Sequence, residues 1–406
     1  MDGLLTRTSD HSGDPPQTKE PFKKRLPGIL MLAGIFFFNF LARFIWGPLL
    51  PNIEADTGIR HTEAGSLFLM INIGYFAGLL LSGHLSCRLN HHKTVVVSCI
   101  SCALALLAAM AVSSIPALRV ILLVVGATAG LYLPSGLVSM TYRLAPRDFG
   151  KAFAFHEISP SLGFIVAPLL AELLLVYGSW RGVLWPVAAG LLVIGLLYAR
   201  RPWTGDFKGQ PPTVGNMRSV AGRSAFWLML VLFIFGIGSN VGVYSMLPLY
   251  LQVQFSMDQT AGNVILSASR IAAMASPFAA GWLTVRYGPR PVVAVIVLLT
   301  GITTALLGMA DARWLWILLF VQSLLATAFF PAGYAIVMRI VAPDYRNLIV
   351  AMIMPVAMLI GSGALPTVIG KFADAGWFRA GFVLTGLLTL GTTVCLLFVK
   401  PTDENE

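Results

Sequence analysis

Apolar runs of 18 to 29 residues, separated by short polar breaks, fill nearly the whole chain. They fall at 27–50, 62–86, 94–113, 117–141, 150–176, 183–200, 224–252, 260–284, 291–310, 314–340, 347–370 and 379–399. A bilayer core about 30 Å thick is crossed by about 20 residues of helix, so each run is long enough to span once. One long polar interruption lies inside the array: 201–223, "RPWTGDFKGQPPTVGNMRSVAGR", whose Gly, Pro and basic residues read as a linker. The pattern predicts a tail at 1–26, a six-helix bundle at 27–200, a linker at 201–223, a second bundle at 224–399 and a tail at 400–406. The expected fold is an all-α membrane protein with twelve transmembrane helices.

The two bundles are related. At an offset of 197 residues, Leu50-Pro51 falls on Leu247-Pro248 and Ala64-Gly65 on Ala261-Gly262. Pro134 and Gly136 then fall on Pro331 and Gly333, Ala145-Pro146 on Ala342-Pro343, and Trp180 on Trp377. Landmarks in order at one offset indicate a duplicated unit. Six spans return the chain to its starting side, so the copies are parallel. Their pseudo-two-fold axis runs along the membrane normal and leaves a seam between halves at the midplane.

Composition agrees: 57% of residues are hydrophobic and 11% charged, against about 25% charged in a soluble domain. The net charge of +10 raises the question of a nucleic-acid partner. Its distribution answers no. Twenty Lys and Arg fall on the side of the tails and linker, six on the opposite side, and only Arg43 and Arg270 inside the runs. By the positive-inside rule both termini are cytoplasmic and the chain is an integral, multi-pass protein of a plasma or bacterial inner membrane. The polar first 26 residues, with "KKR", and the long run after them do not fit a cleavable signal peptide. Cys87, Cys99, Cys102 and Cys395 lie in or beside apolar runs and form no disulfide framework. No catalytic set, metal spacing or phosphate loop is found, so the expectation is a non-enzyme with no cofactor or metal, acting as a monomer.

The chain resembles the major facilitator superfamily, whose loop signature G-x-L-x-D-R-x-G-R-R/K follows the second and eighth helices. Here "GHLSCRLNHHK" keeps Gly83, Leu85 and Arg88, with Cys87 for the aspartate and Asn90, His91 and His92 for the glycine and basic pair. "GWLTVRYGPR" keeps Gly281, Leu283, Arg286, Gly288 and Arg290, with Val285 for the aspartate. The resemblance implies a secondary transporter working by alternating access, with a small molecule bound between the halves.

Arg43 and Arg270 are the candidate binding charges. A charge in hydrocarbon costs at least about 2.5–3.5 kcal/mol. With helix 1 ending near Pro51 and helix 8 starting near Ala261, both guanidiniums lie about 12–14 Å below the outer boundary, one per half. Arginine's planar fork suits a carboxylate or phosphate. The expectation is two clamps on an anionic substrate; the alternative for each is pairing with an internal acid or snorkelling outward. Asn39, Arg43 and Trp46 share one face of helix 1, and Asn263, Ser267 and Arg270 one face of helix 8. Asn240 and Tyr244 on helix 7, Asn72 and Tyr75 on helix 2, Tyr132 on helix 4, and Gln322 and Tyr334 on helix 10 complete a sparse polar lining.

Helix 5 carries His156 and Glu157 about two turns from its cytoplasmic end and Glu172 near its outer end. Either His156 or Glu157 is a candidate carrier of a coupling proton; Glu157 is equally a candidate partner for Arg143 or Arg339. Adjacent residues point about 100° apart on a helix, so both cannot face the cavity. "GFIVAP" (163–168) is similar in part to the helix-5 signature of drug–proton antiporters, with Ala167-Pro168 for its Gly-Pro. Two functions follow: a proton-coupled carrier of a small organic anion such as a monocarboxylate, or an efflux pump for lipophilic, drug-like compounds.

Overall fold

The computed structural model describes residues 20–142, 144–145, 148–200, 221–222, 224–340 and 343–397. Every apolar run is helical, and the helices long and apolar enough to cross a membrane number twelve among the described residues. They are α1 (Phe22–Thr57), α2 (His61–Leu89), α3 (His91–Ala111), α4 (Ile115–Thr141), α5 (Phe149–Leu175) and α6 (Trp180–Arg200) in one half. The other half holds α7 (Phe226–Phe255), α8 (Gln259–Tyr287), α9 (Pro289–Met309), α10 (Ala312–Val337), α11 (Ile349–Asp374) and α12 (Phe378–Leu396). The expected linker falls almost wholly outside the described residues.

Proline places the breaks in three of these helices. The regular α-helix stops at Phe44 in α1, at Gly130 in α4 and at Ala273 in α8, each four residues before a proline: Pro48, Pro134 and Pro277. A proline has no N–H for the carbonyl four residues back, and its ring crowds that carbonyl. The helix resumes within one or two residues because, in a bilayer, a free backbone group has no water to turn to. α1 runs on through Pro51 to Thr57 and ends at Gly58, whose φ of 69° closes it. This corrects the expected end near Pro51: Arg43 lies about 21 Å of helix from the end at Thr57, at about 1.5 Å per residue.

α1 and α7, the first helix of each repeat, are the most enclosed. Their most apolar windows are 72% buried, against 39% in α5, α6 and α12. Elsewhere large side chains such as Leu173, Val193, Phe278 and Trp316 turn outward, the surface that acyl chains cover.

The halves meet at the side away from the termini, called here the far side. The start of α2 lies so close to α11 that a Cβ on Gly65 would overlap the Pro366 carbonyl, and one on Gly370 the His61 carbonyl. Asp374, at the end of α11, accepts the backbone N–H groups of His61 (2.8 Å) and Thr62 (3.0 Å) and the Thr62 hydroxyl. It satisfies orphan donors at a helix N-terminus that belongs to the other half. Glu172, at the end of α5, does the converse: it accepts from Thr260 Oγ1 (2.5 Å) and Asn263 Nδ2 (3.4 Å) at the start of α8. Among the described residues, the hydrogen bonds that cross between halves lie at the far side or about midway along the helices.

Candidate substrate site

Pro168 prepares the middle of the seam. It leaves the Phe164 carbonyl without its helical donor, and Tyr244 of α7 donates its hydroxyl to that oxygen at 2.8 Å. Ser267 of α8 donates to the neighbouring Ile165 carbonyl at 2.9 Å. Three helices from two halves are thus tied around one weakened turn of α5.

Arg270 sits against this turn. Its guanidinium lies over the Phe164 ring (4.3 Å) and the Tyr244 ring (4.1 Å). Nη1 donates to Asn240 Oδ1 (2.7 Å) and Thr327 Oγ1 (3.3 Å), and Nη2 to the Asn240 carbonyl (2.7 Å). Asn240 lies in Gly238–Gly242, a π-helical segment within α7, where the backbone departs from the regular i to i+4 ladder. Asn240 in turn donates to the Ala326 carbonyl at 2.9 Å. Arg270 is therefore held by neutral oxygens of its own half and by two rings, with only Nε unpartnered.

Arg43 is different. It is 3% exposed and is surrounded by Tyr75 (4.0 Å), Phe44 (5.1 Å) and Phe40 (5.6 Å). Its Nε and Nη1 are buried with no hydrogen-bond partner. Neither arginine has a carboxylate partner among the described residues. The two guanidiniums are linked through rings: Phe164 packs on Phe40 (4.8 Å), Phe44 (5.6 Å) and Tyr244 (4.9 Å). Each half contributes one stacked Arg–Tyr couple, with the arginine on the first helix in one half and on the second in the other.

His156 is fully buried, stacked on Phe36 at 4.2 Å between ring centroids, with Nε2 3.1 Å from the Tyr132 hydroxyl. That hydroxyl spends its one proton on the Leu32 carbonyl, 2.7 Å away, so it accepts from His156 Nε2–H. Nδ1 has no hydrogen-bond partner and faces Glu157 Oε1 at 3.6 Å. The Glu157 side chain is 67% exposed.

Comparison with known proteins fits this arrangement to a family. The model of the Major Facilitator Superfamily matches residues 32–284 and 246–406. The chain belongs to the Major Facilitator Superfamily. A Bacillus subtilis (strain 168) protein named as a niacin/nicotinamide transporter, NiaP, is 23% identical over 72% of this chain and 75% of its own length. The Aspergillus fumigatus multidrug transporter mfsC is 24% identical over 36% of this chain and 29% of its own. The crystal structure of a bacterial homolog to the human lysosomal transporter Spinster, inward-facing and occupied, superposes with a TM-score of 0.81 at 14% identity. That superposition covers 94% of this chain and 97% of the other.

Within this major facilitator chain, the residues expected to form one lining divide into several roles. Trp46 is fully buried beside Trp180 and donates to the Ala42 carbonyl; it packs the first half rather than facing the seam. Asn39 donates to the Ala129 carbonyl at 3.2 Å and keeps a buried Oδ1 without a partner. Asn72 accepts from Ser362 across the seam at 2.9 Å. Tyr334 packs on Phe233 and reaches Met354 Sδ at 3.5 Å. Asn240 and Ser267 bind protein groups, as above. Of the two suggested partners of Glu157, Arg143 lies outside the described residues and Arg339 makes no ion pair with it. Phe40, Phe44 and Phe164 were not singled out in the sequence; an aromatic residue four positions before a helix proline was the signal available for Phe164.

Proposed function

We propose that this chain moves a small organic anion such as a monocarboxylate across the membrane by alternating access, coupled to protons, with both termini cytoplasmic. The supporting observation is Arg43: a buried guanidinium with unpartnered donors and no acid beside it. An isolated buried charge is costly, and a carboxylate arriving from water supplies both the opposite charge and the missing acceptors. Aromatic surface on three sides gives the apolar body of such a substrate a surface to pack on. The likeness to a protein named for niacin and nicotinamide, a pyridine carboxylic acid and its neutral amide, supports a small substrate with an aromatic body and does not choose between charged and neutral.

In this reading the site is reached from the termini side while the far-side contacts are closed, and the same cycle runs in reverse for uptake. The substrate carboxylate settles on Arg43, and a proton enters at His156 Nδ1 or Glu157. Neutralising Glu157, or balancing it with an imidazolium, removes a negative charge that would oppose the incoming anion. The far-side contacts then part as the termini side closes. A second reading, efflux of lipophilic compounds, draws on the aromatic cluster and the partial match to a multidrug transporter.

The test is uptake of labelled monocarboxylates into proteoliposomes with and without an imposed pH gradient. Uptake should be driven by an inward proton gradient and fall about 10- to 100-fold in Arg43→Gln, the range for a hydrogen bond to a charged group. Equal uptake by Arg43→Gln, or drug extrusion without carboxylate movement, sinks the anion reading. Gradient-driven uptake persisting in His156→Ala/Glu157→Gln would remove α5 from the proton route.

A further inference from the structure

The two arginines differ in one respect that bears on substrate charge. Arg270 already has Asn240 Oδ1, the Asn240 carbonyl and Thr327 Oγ1 on its two terminal nitrogens, and a ring on which to stack at each of Phe164 and Tyr244. Arg43, 3% exposed, offers Nε and Nη1 with nothing to accept from them. Resting on the anion reading above, we infer that the site takes a single negative charge. Its substrate is a monoanion with an apolar body, bound by Arg43 alone, and Arg270 is a positioning residue.

The physical argument is one of supply and demand. A dianion such as a dicarboxylate or a phosphate monoester needs two cationic forks. Here the second fork would have to leave three oxygens of its own protein, including both polar groups of Asn240, and would then strand them in a buried site. The rest of the surface near Arg43 is aromatic: Phe40, Phe44 and Tyr75. A second carboxylate there would be desolvated with no second cation to meet it. What Arg270 does instead is hold the π-helical turn of α7 and present Phe164 and Tyr244 as a wall between the two halves. It shapes the site for any occupant, charged or neutral, while Arg43 reads charge.

The roles separate in a binding experiment on the purified full chain. Calorimetry or thermal shift would use lactate, benzoate and nicotinate, each beside its neutral amide, with succinate and isophthalate as dianions. Wild-type protein should bind at least one monocarboxylate about 10- to 100-fold more tightly than its amide, and both dicarboxylates more weakly still. Arg43→Gln should bring acid and amide to equal affinity. Arg270→Gln should weaken acid and amide by a common factor and leave their ratio intact, a pattern that general loss of structure at Arg43 would not give. Arg270→Lys, which keeps the charge, should not restore the lost affinity, because a single ammonium cannot span the Asn240 pair. If no acid in the panel binds better than its amide, the anion reading fails and takes this inference with it. If monocarboxylates bind but a dicarboxylate binds as tightly, or if Arg270→Gln abolishes the acid–amide ratio, only the single-charge assignment is overturned.

Discussion

At Asn90 the backbone takes φ 84° and ψ 165° between α2 and α3, a region reached almost only by glycine. The corresponding residue between α8 and α9 is Gly288, at φ 85° and ψ 155°. The loop signature asks for glycine at both places, and the structure shows why: the helices reverse there on one left-handed residue. Asn90 accepts the strain and offsets part of it by capping α3, its Oδ1 taking the Lys93 N–H at 2.8 Å. Strain in this region is of order 1–3 kcal/mol, whereas replacing an Asn cap by Gly costs a few tenths of a kcal/mol. Asn90→Gly should therefore raise the melting temperature of the detergent-solubilised protein. Asn90→Ala, which keeps the strain and loses the cap, should lower it. A melting temperature that falls equally in both variants would mean the side chain matters more than the φ angle.

At the scale of elements, α2 and α4 cross where Gly74-x3-Gly78 faces Gly126-x3-Gly130. A Cβ on Gly74 would overlap the Leu123 carbonyl, and one on Gly126 the Ile71 carbonyl. Such small-residue stripes let membrane helices touch backbone to backbone, where packing rather than hydrophobic burial drives association. Gly126→Ala should cost about 1–3 kcal/mol by overpacking, while Gly391→Ala, with open space around it, should leave thermal unfolding unchanged or slightly raised. The twelve spans were legible because length and hydropathy suffice to define a crossing. The breaks ahead of Pro48, Pro134 and Pro277 were not legible, because Pro168 and Pro331 stand in helix that runs on. The end of α1 was misplaced because Pro51 looks like a stop signal but is tolerated inside a helix at this depth. The satisfied state of Arg270 had no signature at all. It depends on Asn240, which lies in a π-helical turn of α7, and nothing in hydropathy or spacing announces a change of hydrogen-bond register. Arg43 and Arg270 thus looked equivalent in the sequence and are not equivalent in the fold.

For the molecule as a whole, the duplication gives a gate made of two related latches. Asp374 grips the start of α2 and Glu172 the start of α8, so each half holds the other by a carboxylate at the end of its fifth helix. Opening the far side must break both, along with the close approach of Gly65 and Gly370 to the facing helix. A carboxylate at a helix N-terminus is worth about 1 kcal/mol, a factor of about five in a two-state population. With spin labels at the exposed positions Ala55 and Trp377, one in each half, Asp374→Ala should shift the distance distribution toward separation about fivefold. Glu172→Ala should act in the same direction, and the double variant should approach the product of the two, since the latches are on different helix pairs and share no partner. Such a shift moves the resting equilibrium without touching Arg43, so substrate affinity measured from the far side should rise while affinity from the termini side falls. An unchanged distance distribution in the double variant would assign closure to helix packing alone and leave Asp374 an ordinary cap and Glu172 an ordinary side-chain acceptor.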